Sequence, residues 1–69
     1  MTPARKAALQ WFHDRGEVNV CDLALNMLDG QPSLRMISTM AYDGHLSIDE
    51  LTDECTLTDK GRRALNDNS

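Results

Sequence analysis

The sequence has no apolar run approaching the roughly 20 residues of a membrane helix. It also lacks the long apolar stretch and cleavage site of a secretory signal, so we expect a cytoplasmic protein that does not engage a membrane. Signatures of catalysis are missing as well. Without a Ser/His/Asp or Cys/His pattern or a phosphate-binding loop, the chain is not expected to be an enzyme.

Cysteine is scarce: the chain has two, Cys21 and Cys55, far apart in sequence. This spacing favours two small buried apolar side chains over a disulfide framework. With His13 and His45 they form no close ligand pair of the C-x-x-C kind, so we expect no metal site and no cofactor.

The length of 69 residues predicts one small domain covering residues 1–69. Hydrophobic residues make up 41% of the chain, which is too high for a disordered tail. Because a domain of this size buries only a limited core, self-association as a homodimer is a reasonable expectation.

Charge is distributed unevenly along a chain whose formal net charge is -4. Counting Lys and Arg against Asp and Glu, residues 1–16 carry a net +2, residues 17–57 a net -7 and residues 58–69 a net +1. The ends are therefore basic and the middle is strongly acidic. Four of the acidic residues lie close together: Asp49, Glu50, Asp53 and Glu54.

Turn signals divide the sequence into helical and strand patterns. TPARKAALQWFHDRG (2–16) predicts a first helix that Thr2 can cap, with Pro3 at its first position and Gly16 at its end. EVNV (17–20) has alternating valines and is compatible with a brief strand.

Two further helices are predicted on either side of a Gly/Pro breaker. CDLALNMLDG (21–30) has an apolar side at helical spacing that includes Met27. LRMISTMAYDG (34–44) follows the capping residue Ser33 and stops at Gly44. HLSID (45–49) and CTLT (55–58) alternate around an acidic turn, as strands of a hairpin do, and residues 59–66 form a last short helix capped by Thr58.

The predicted fold class is therefore mainly α with a small β-hairpin: three helices, two strands and a short C-terminal helix. Gly61, early in the last helix, is unfavourable by helix propensity and so indicates close backbone packing. The residues expected to be largely buried are Trp11, Phe12, Leu23, Leu28, Leu34, Ile37, Leu46, Leu57 and Leu65.

This order of elements resembles a winged helix-turn-helix domain, broadly of the kind found in MarR- and PadR-type bacterial or phage regulators. SLRMISTMAYDGHL (33–46) is similar to the recognition helix of that group, followed by a glycine and a strand. CTLTDKGRRAL (55–65) is similar to its Leu-Thr-x-x-Gly-Arg element. The resemblance implies that the predicted hairpin is a two-stranded wing.

The resemblance also implies binding to double-stranded DNA in transcription regulation, with helix 34–43 in the major groove. The residue types on that helix suit contacts with bases and phosphates, and the candidates are Ser33, Arg35, Met36, Ser38, Thr39 and Tyr42. Further candidate phosphate contacts are Lys60, Arg62 and Arg63, for which a solvated helix face is the interpretation we favour.

The acidic hairpin leads to a second hypothesis. Its four carboxylates, Asp49, Glu50, Asp53 and Glu54, would repel phosphates, and no Lys or Arg lies between His45 and Leu57. A winged helix of this charge could instead bind a basic protein surface, or imitate DNA in a nucleic-acid-binding site. Exposed methionines of the middle segment would suit such an adaptable contact.

Overall fold

The computed structural model of the protein describes residues 2–67. Over this range the elements are α1 (Pro3–Arg15), β1 (Val18–Asn19), α2 (Val20–Asn26), α3 (Leu34–Tyr42), β2 (Leu46–Ile48), β3 (Glu54–Leu57) and α4 (Asp59–Asp67). The protein is thus largely helical with a small antiparallel sheet. The last helix, predicted over residues 59–66, is confirmed and extends one residue further, to Asp67.

The sheet has three strands rather than the two of the predicted hairpin. β3 lies in the centre, and both β2 and β1 pair with it in antiparallel orientation. Leu46 pairs with Leu57 in the hairpin, and Val18 pairs with Cys55 on the other side of β3. The hairpin is therefore confirmed, and the brief strand near residue 18 joins it to complete the sheet.

The three predicted helix N-caps are confirmed. Thr2, Ser33 and Thr58 each accept a hydrogen bond from the backbone N–H three residues later, at 3.2, 3.1 and 3.0 Å. Gly16 ends α1 with a positive φ of 77°, a backbone angle that glycine adopts more readily than other residues. These helix boundaries follow from local chemistry that the sequence already contains.

Helix α2 is shorter than predicted. It ends at Asn26 because Met27 adopts a left-handed conformation with a φ of 46°. Met27, expected on the apolar side of the helix, is consequently 71% exposed. At its other end the helix is capped by Asn19, whose side-chain oxygen accepts from the N–H groups of Cys21 and Asp22 at 2.8 and 3.3 Å.

The core lies between the helices and one face of the sheet. Its buried apolar residues are Ala8, Leu9, Phe12, Val18, Leu23, Ile37, Met40, Leu46, Cys55, Leu57 and Leu65. Trp11 and Leu28, predicted to be buried, pack against this core while remaining partly exposed. The prediction for Leu34 was wrong: it is 45% exposed, because the buried side of α3 is centred on Ile37 and Met40.

The two cysteines occupy different environments. Cys55 is fully buried, and this burial raises the pKa of its thiol to about 11. Cys21 is exposed, contrary to expectation, because it lies in the first turn of α2 on the side away from Leu23. Its thiol donates a hydrogen bond to the Asp53 carboxylate at 3.3 Å, which raises the pKa of the thiol.

The close backbone packing predicted at Gly61 is confirmed, and the segment that α4 approaches there is the start of the hairpin. A Cβ atom at this position would lie 2.4 Å from the carbonyl oxygen of His45 and 2.7 Å from Leu57 Cδ1. The same His45 oxygen accepts the N–H of Thr58 at 3.0 Å, so it is held in place. The site therefore has no room for a side chain.

Candidate nucleic-acid interface

Helix α3 has one side in the core and the other in solvent. Ile37 and Met40 are buried, and Met36 and Ala41 pack partly buried beside them. Most of the residues expected to contact DNA are exposed, either along the opposite side of the helix or at its cap: Ser33, Arg35, Ser38, Thr39 and Tyr42. Met36 differs from the rest because its side chain is partly used in packing.

The exposed polar groups of α3 are not equally available. Ser33 accepts the N–H of Met36 as the helix cap, and the Thr39 hydroxyl donates to the Arg35 carbonyl at 3.0 Å. Tyr42, in contrast, is 92% exposed. Arg35, Ser38 and Tyr42 thus give this helix its most accessible polar side chains, and Arg35 provides the positive charge.

A groove of about 420 Å³ lies between the first turns of α1 and α3. Its lining residues are Thr2, Arg5, Ser33, Arg35, Met36 and Thr39. Four of them were candidate DNA contacts, and Arg5 is a basic residue that the sequence did not single out for this role. None of the described residues that line the groove is acidic. Two arginines from different helices therefore line one groove beside the exposed side of α3.

Arg5 is fixed at the far end of α3 by an ion pair with Asp43. The hydrogen bond that the Arg5 guanidinium donates to the Asp43 carboxylate is the main cause of the lowered pKa of Asp43. The ammonium group of Lys60 donates to the Asp43 backbone carbonyl at 2.9 Å. Two cations from α1 and α4 thus meet at the residue that follows α3.

His45 follows this cluster in the chain. Its burial is the main cause of a lowered pKa, and the positive charges of Arg5 and Lys60 lower it further. Within residues 2–67, neither His45 Nδ1 nor Arg5 Nε, both buried, has a hydrogen-bond partner. His45 is therefore favoured in its neutral form, and the positive charge here comes from the two longer side chains.

The three basic residues of α4 do not converge on one point. Lys60 contacts the end of α3, whereas Arg62 forms an ion pair with Asp59 and donates weakly to the Leu57 carbonyl at 3.5 Å. Arg63 is exposed. These neighbours in sequence thus make different contacts, and of the three only Lys60 lies beside the candidate interface formed by α1 and α3.

The predicted wing is short, and its turn is attached to the start of α2. Asp49 closes the turn by accepting the N–H of Leu51 at 2.8 Å. The carbonyl of Asp53 accepts the N–H of Val20 at 2.8 Å, while its carboxylate accepts the thiol of Cys21. The turn is therefore anchored to another part of the chain rather than extending freely.

Further acidic groups lie next to this turn. Glu54 shares a hydrogen bond with Glu17, and this bond, together with the negative charge of Glu17, raises the pKa of Glu54. Glu17 also lines a second groove, of about 720 Å³, to which Asp14 and Asp22 contribute. Arg15 lines this second groove as well, so its three carboxylates lie beside one guanidinium. The second groove shares no lining residue with the arginine-lined groove between α1 and α3.

No protein-family model matches this chain, and neither a curated protein nor a solved structure matches it. In the described part of the chain, every helix is too short or too polar to cross a membrane. The same residues contain no group of three or more His, Cys, Asp or Glu side chains placed to hold a metal ion. The functional assignment therefore depends on the geometry of the surfaces described above.

Proposed function

We propose that this protein is a winged helix-turn-helix DNA-binding protein of the bacterial or phage regulator type. The observation that carries the proposal is α3, whose exposed side carries Arg35, Ser38 and Tyr42 next to an arginine-lined groove. The order of elements supports it: three helices precede a hairpin, and the short strand after α1 pairs with the hairpin's second strand. This arrangement leaves the third helix accessible to a duplex.

The dimensions and chemistry of α3 suit the major groove. An α-helix with its side chains is about 10–12 Å in diameter, which matches a major groove about 12 Å wide. The nine residues of α3, at about 1.5 Å per residue, would extend about 13 Å along that groove. The guanidinium of Arg35 can donate two parallel hydrogen bonds to a guanine edge. The hydroxyls of Ser38 and Tyr42 can donate to bases or phosphates, which would fix the helix in position.

Local charge rather than net charge would determine this interaction. The chain is acidic overall, but Arg5, Arg35 and Lys60 cluster around the two ends of α3 with the carboxylate of Asp43. Two copies of the protein in a homodimer would present two such helices and double the number of phosphate contacts. The acidic turn, anchored to α2, is not required for contact with the duplex in this proposal.

We expect Arg35→Ala to weaken binding to a preferred duplex, selected from a random pool, by about 1–3 kcal/mol. The side chain is exposed, so its truncation should leave the unfolding midpoint nearly unchanged. Fluorescence anisotropy with a labelled duplex would measure the change. Arg63→Ala, which removes the same charge from an exposed position of α4, is the matched control and should have a smaller effect. Equal affinities for wild type and Arg35→Ala would remove α3 from the interface.

A second candidate function is the binding of a basic protein surface. It is favoured by the crowding of Glu17 and Glu54, a repulsive pair that an added cation would relieve, and by the carboxylates of the adjacent groove. A partner rich in Lys or Arg would complement this surface.

Replacing the hairpin carboxylates with amides distinguishes the two candidates, because amides keep the hydrogen-bond acceptors while removing charge. The four changes are Asp49→Asn, Glu50→Gln, Asp53→Asn and Glu54→Gln. If DNA is the ligand, we expect this variant to bind duplex more tightly at low salt, since a repulsive charge has been removed. If a basic protein is the ligand, the variant should instead lose a partner that wild type captures in a pull-down.

A further inference from the structure

We propose that the groove between α1 and α3 seats one phosphate of the DNA backbone and that Arg5 is its sequence-independent contact. This inference rests on the proposed function and adds to it a site on α1, a helix that is otherwise structural. It assigns different roles to the two arginines. Arg35, on the accessible side of α3, can reach a base edge, while Arg5 positions the duplex without reading its sequence.

The lining of the groove suits a phosphate group. The α1 wall contributes Thr2 and Arg5, and the α3 wall contributes Ser33, Arg35 and Thr39, with Met36 as its apolar residue. Both helices begin at this groove, so their positively polarised ends add to the charge of the guanidinium groups. The groove is thus lined by two arginines and by two helix N-termini, with no carboxylate among the lining residues. The Asp43 carboxylate that pairs with Arg5 lies outside this lining, at the other end of α3.

Arg5 is held in place for such a contact. The ion pair with Asp43 uses one guanidinium nitrogen and restrains a side chain that is only 23% exposed. A guanidinium carries five N–H donors, and the ion pair with Asp43 does not use all of them. Asp43 cancels one positive charge locally, but Arg5, Lys60 and Arg35 together outnumber it. The cluster therefore retains a net positive charge where the overall chain is negative.

The experiment compares the salt dependence of DNA binding in wild type, Arg5→Gln and Arg5→Lys, using a duplex of random sequence. Each neutralised phosphate contributes about 0.9 to the slope of log affinity against log salt. Arg5→Gln should therefore make that slope shallower by about 0.9. Over a fourfold rise in salt, the affinity of wild type would then fall by a factor about 3.5 times larger than that of the variant. Arg5→Lys keeps the charge and should retain the wild-type slope.

Loss of the ion pair with Asp43 is controlled by a separate variant. Asp43→Asn removes the same pair but leaves the cation at Arg5, so it should retain a slope at least as steep as that of wild type. A reduced slope in Asp43→Asn, equal to that of Arg5→Gln, would show that the pair acts structurally and would overturn the inference. Thermal unfolding of each variant confirms that folded protein is compared.

The remaining outcomes separate this inference from the proposed function. Salt-dependent binding by wild type with an unchanged slope in Arg5→Gln would overturn the phosphate seat and leave DNA binding intact. No binding of duplex by wild type at low salt would overturn both. A third outcome is that the protein does not bind duplex but binds inorganic phosphate saturably, with chemical-shift changes at Arg5. That result would identify a small-anion site and overturn the assignment to the DNA backbone.

Discussion

Gly61→Ala is expected to destabilise the protein by about 1–2 kcal/mol, although the same change would stabilise an ordinary helix. In an open helix interior, alanine is favoured over glycine by about 1 kcal/mol. At Gly61 the new Cβ would lie 2.4 Å from a backbone oxygen, so α4 must move away from the hairpin. Overpacking of this kind costs about 1–3 kcal/mol and occasionally more, which outweighs the gain in propensity. Urea unfolding followed by circular dichroism would measure the loss.

Arg63→Ala is the matched control for this prediction, because it places alanine at an exposed position of the same helix. It should change the free energy of unfolding by no more than about 0.5 kcal/mol. If Gly61→Ala were neutral or stabilising, the close approach of α4 to the carbonyl of His45 would be contradicted.

Ile37→Ala should reduce the free energy of unfolding by about 2–5 kcal/mol. Ile37 is 2% exposed and lies on the buried side of α3, so truncation removes packed atoms and leaves a cavity in the small core. The neighbouring change Ser38→Ala, on the exposed side, should stay within about 0.5 kcal/mol of wild type. A similarly small loss for Ile37→Ala would place this residue outside the core and would mean that α3 is rotated about its axis.

Local chemistry made the starts of three helices and the end of α1 predictable. Thr2, Ser33 and Thr58 cap helices through hydrogen bonds that span three residues, and Gly16 ends α1 through its own backbone conformation. Such signals depend on a few consecutive residues, so a sequence pattern contains them in full. The close packing of Gly61 was also predictable, because a glycine early in a helix is unfavourable unless something excludes a side chain.

The end of α2 was not predictable from the local pattern. The stretch after Asn26 continues to look helical, but Met27 turns into a left-handed conformation and the N–H of Leu28 bonds to the side chain of Gln31 at 2.7 Å. This turn brings Asp29 to Trp11, whose indole N–H donates to the Asp29 carbonyl at 3.1 Å. Contacts with α1 thus compete with helix propensity, and the sequence pattern does not reveal them.

The candidate interface was predictable only in part, for the same reason. Periodicity identified the helix that carries Arg35, but it overestimated the burial of Leu34. It also placed Met36 among the candidate DNA contacts, although this side chain is partly buried against the core. Arg5 could not be found this way, since its position depends on how α1 lies against α3 and Asp43. The anchoring of the acidic turn by Val20 and Cys21 is likewise a contact between distant segments.

The most direct test of the account is the binding of wild-type protein to random duplex DNA across a salt series. The basic cluster at α3 predicts measurable binding at low salt, with affinity falling steeply as salt rises because counterions released from phosphates compete. Anisotropy titrations from about 20 to 200 mM salt would cover the range in which screening changes most. A linear decrease in log affinity with log salt is the predicted result. No binding at the lowest salt would contradict a DNA-binding function and favour the acidic surface as the functional one.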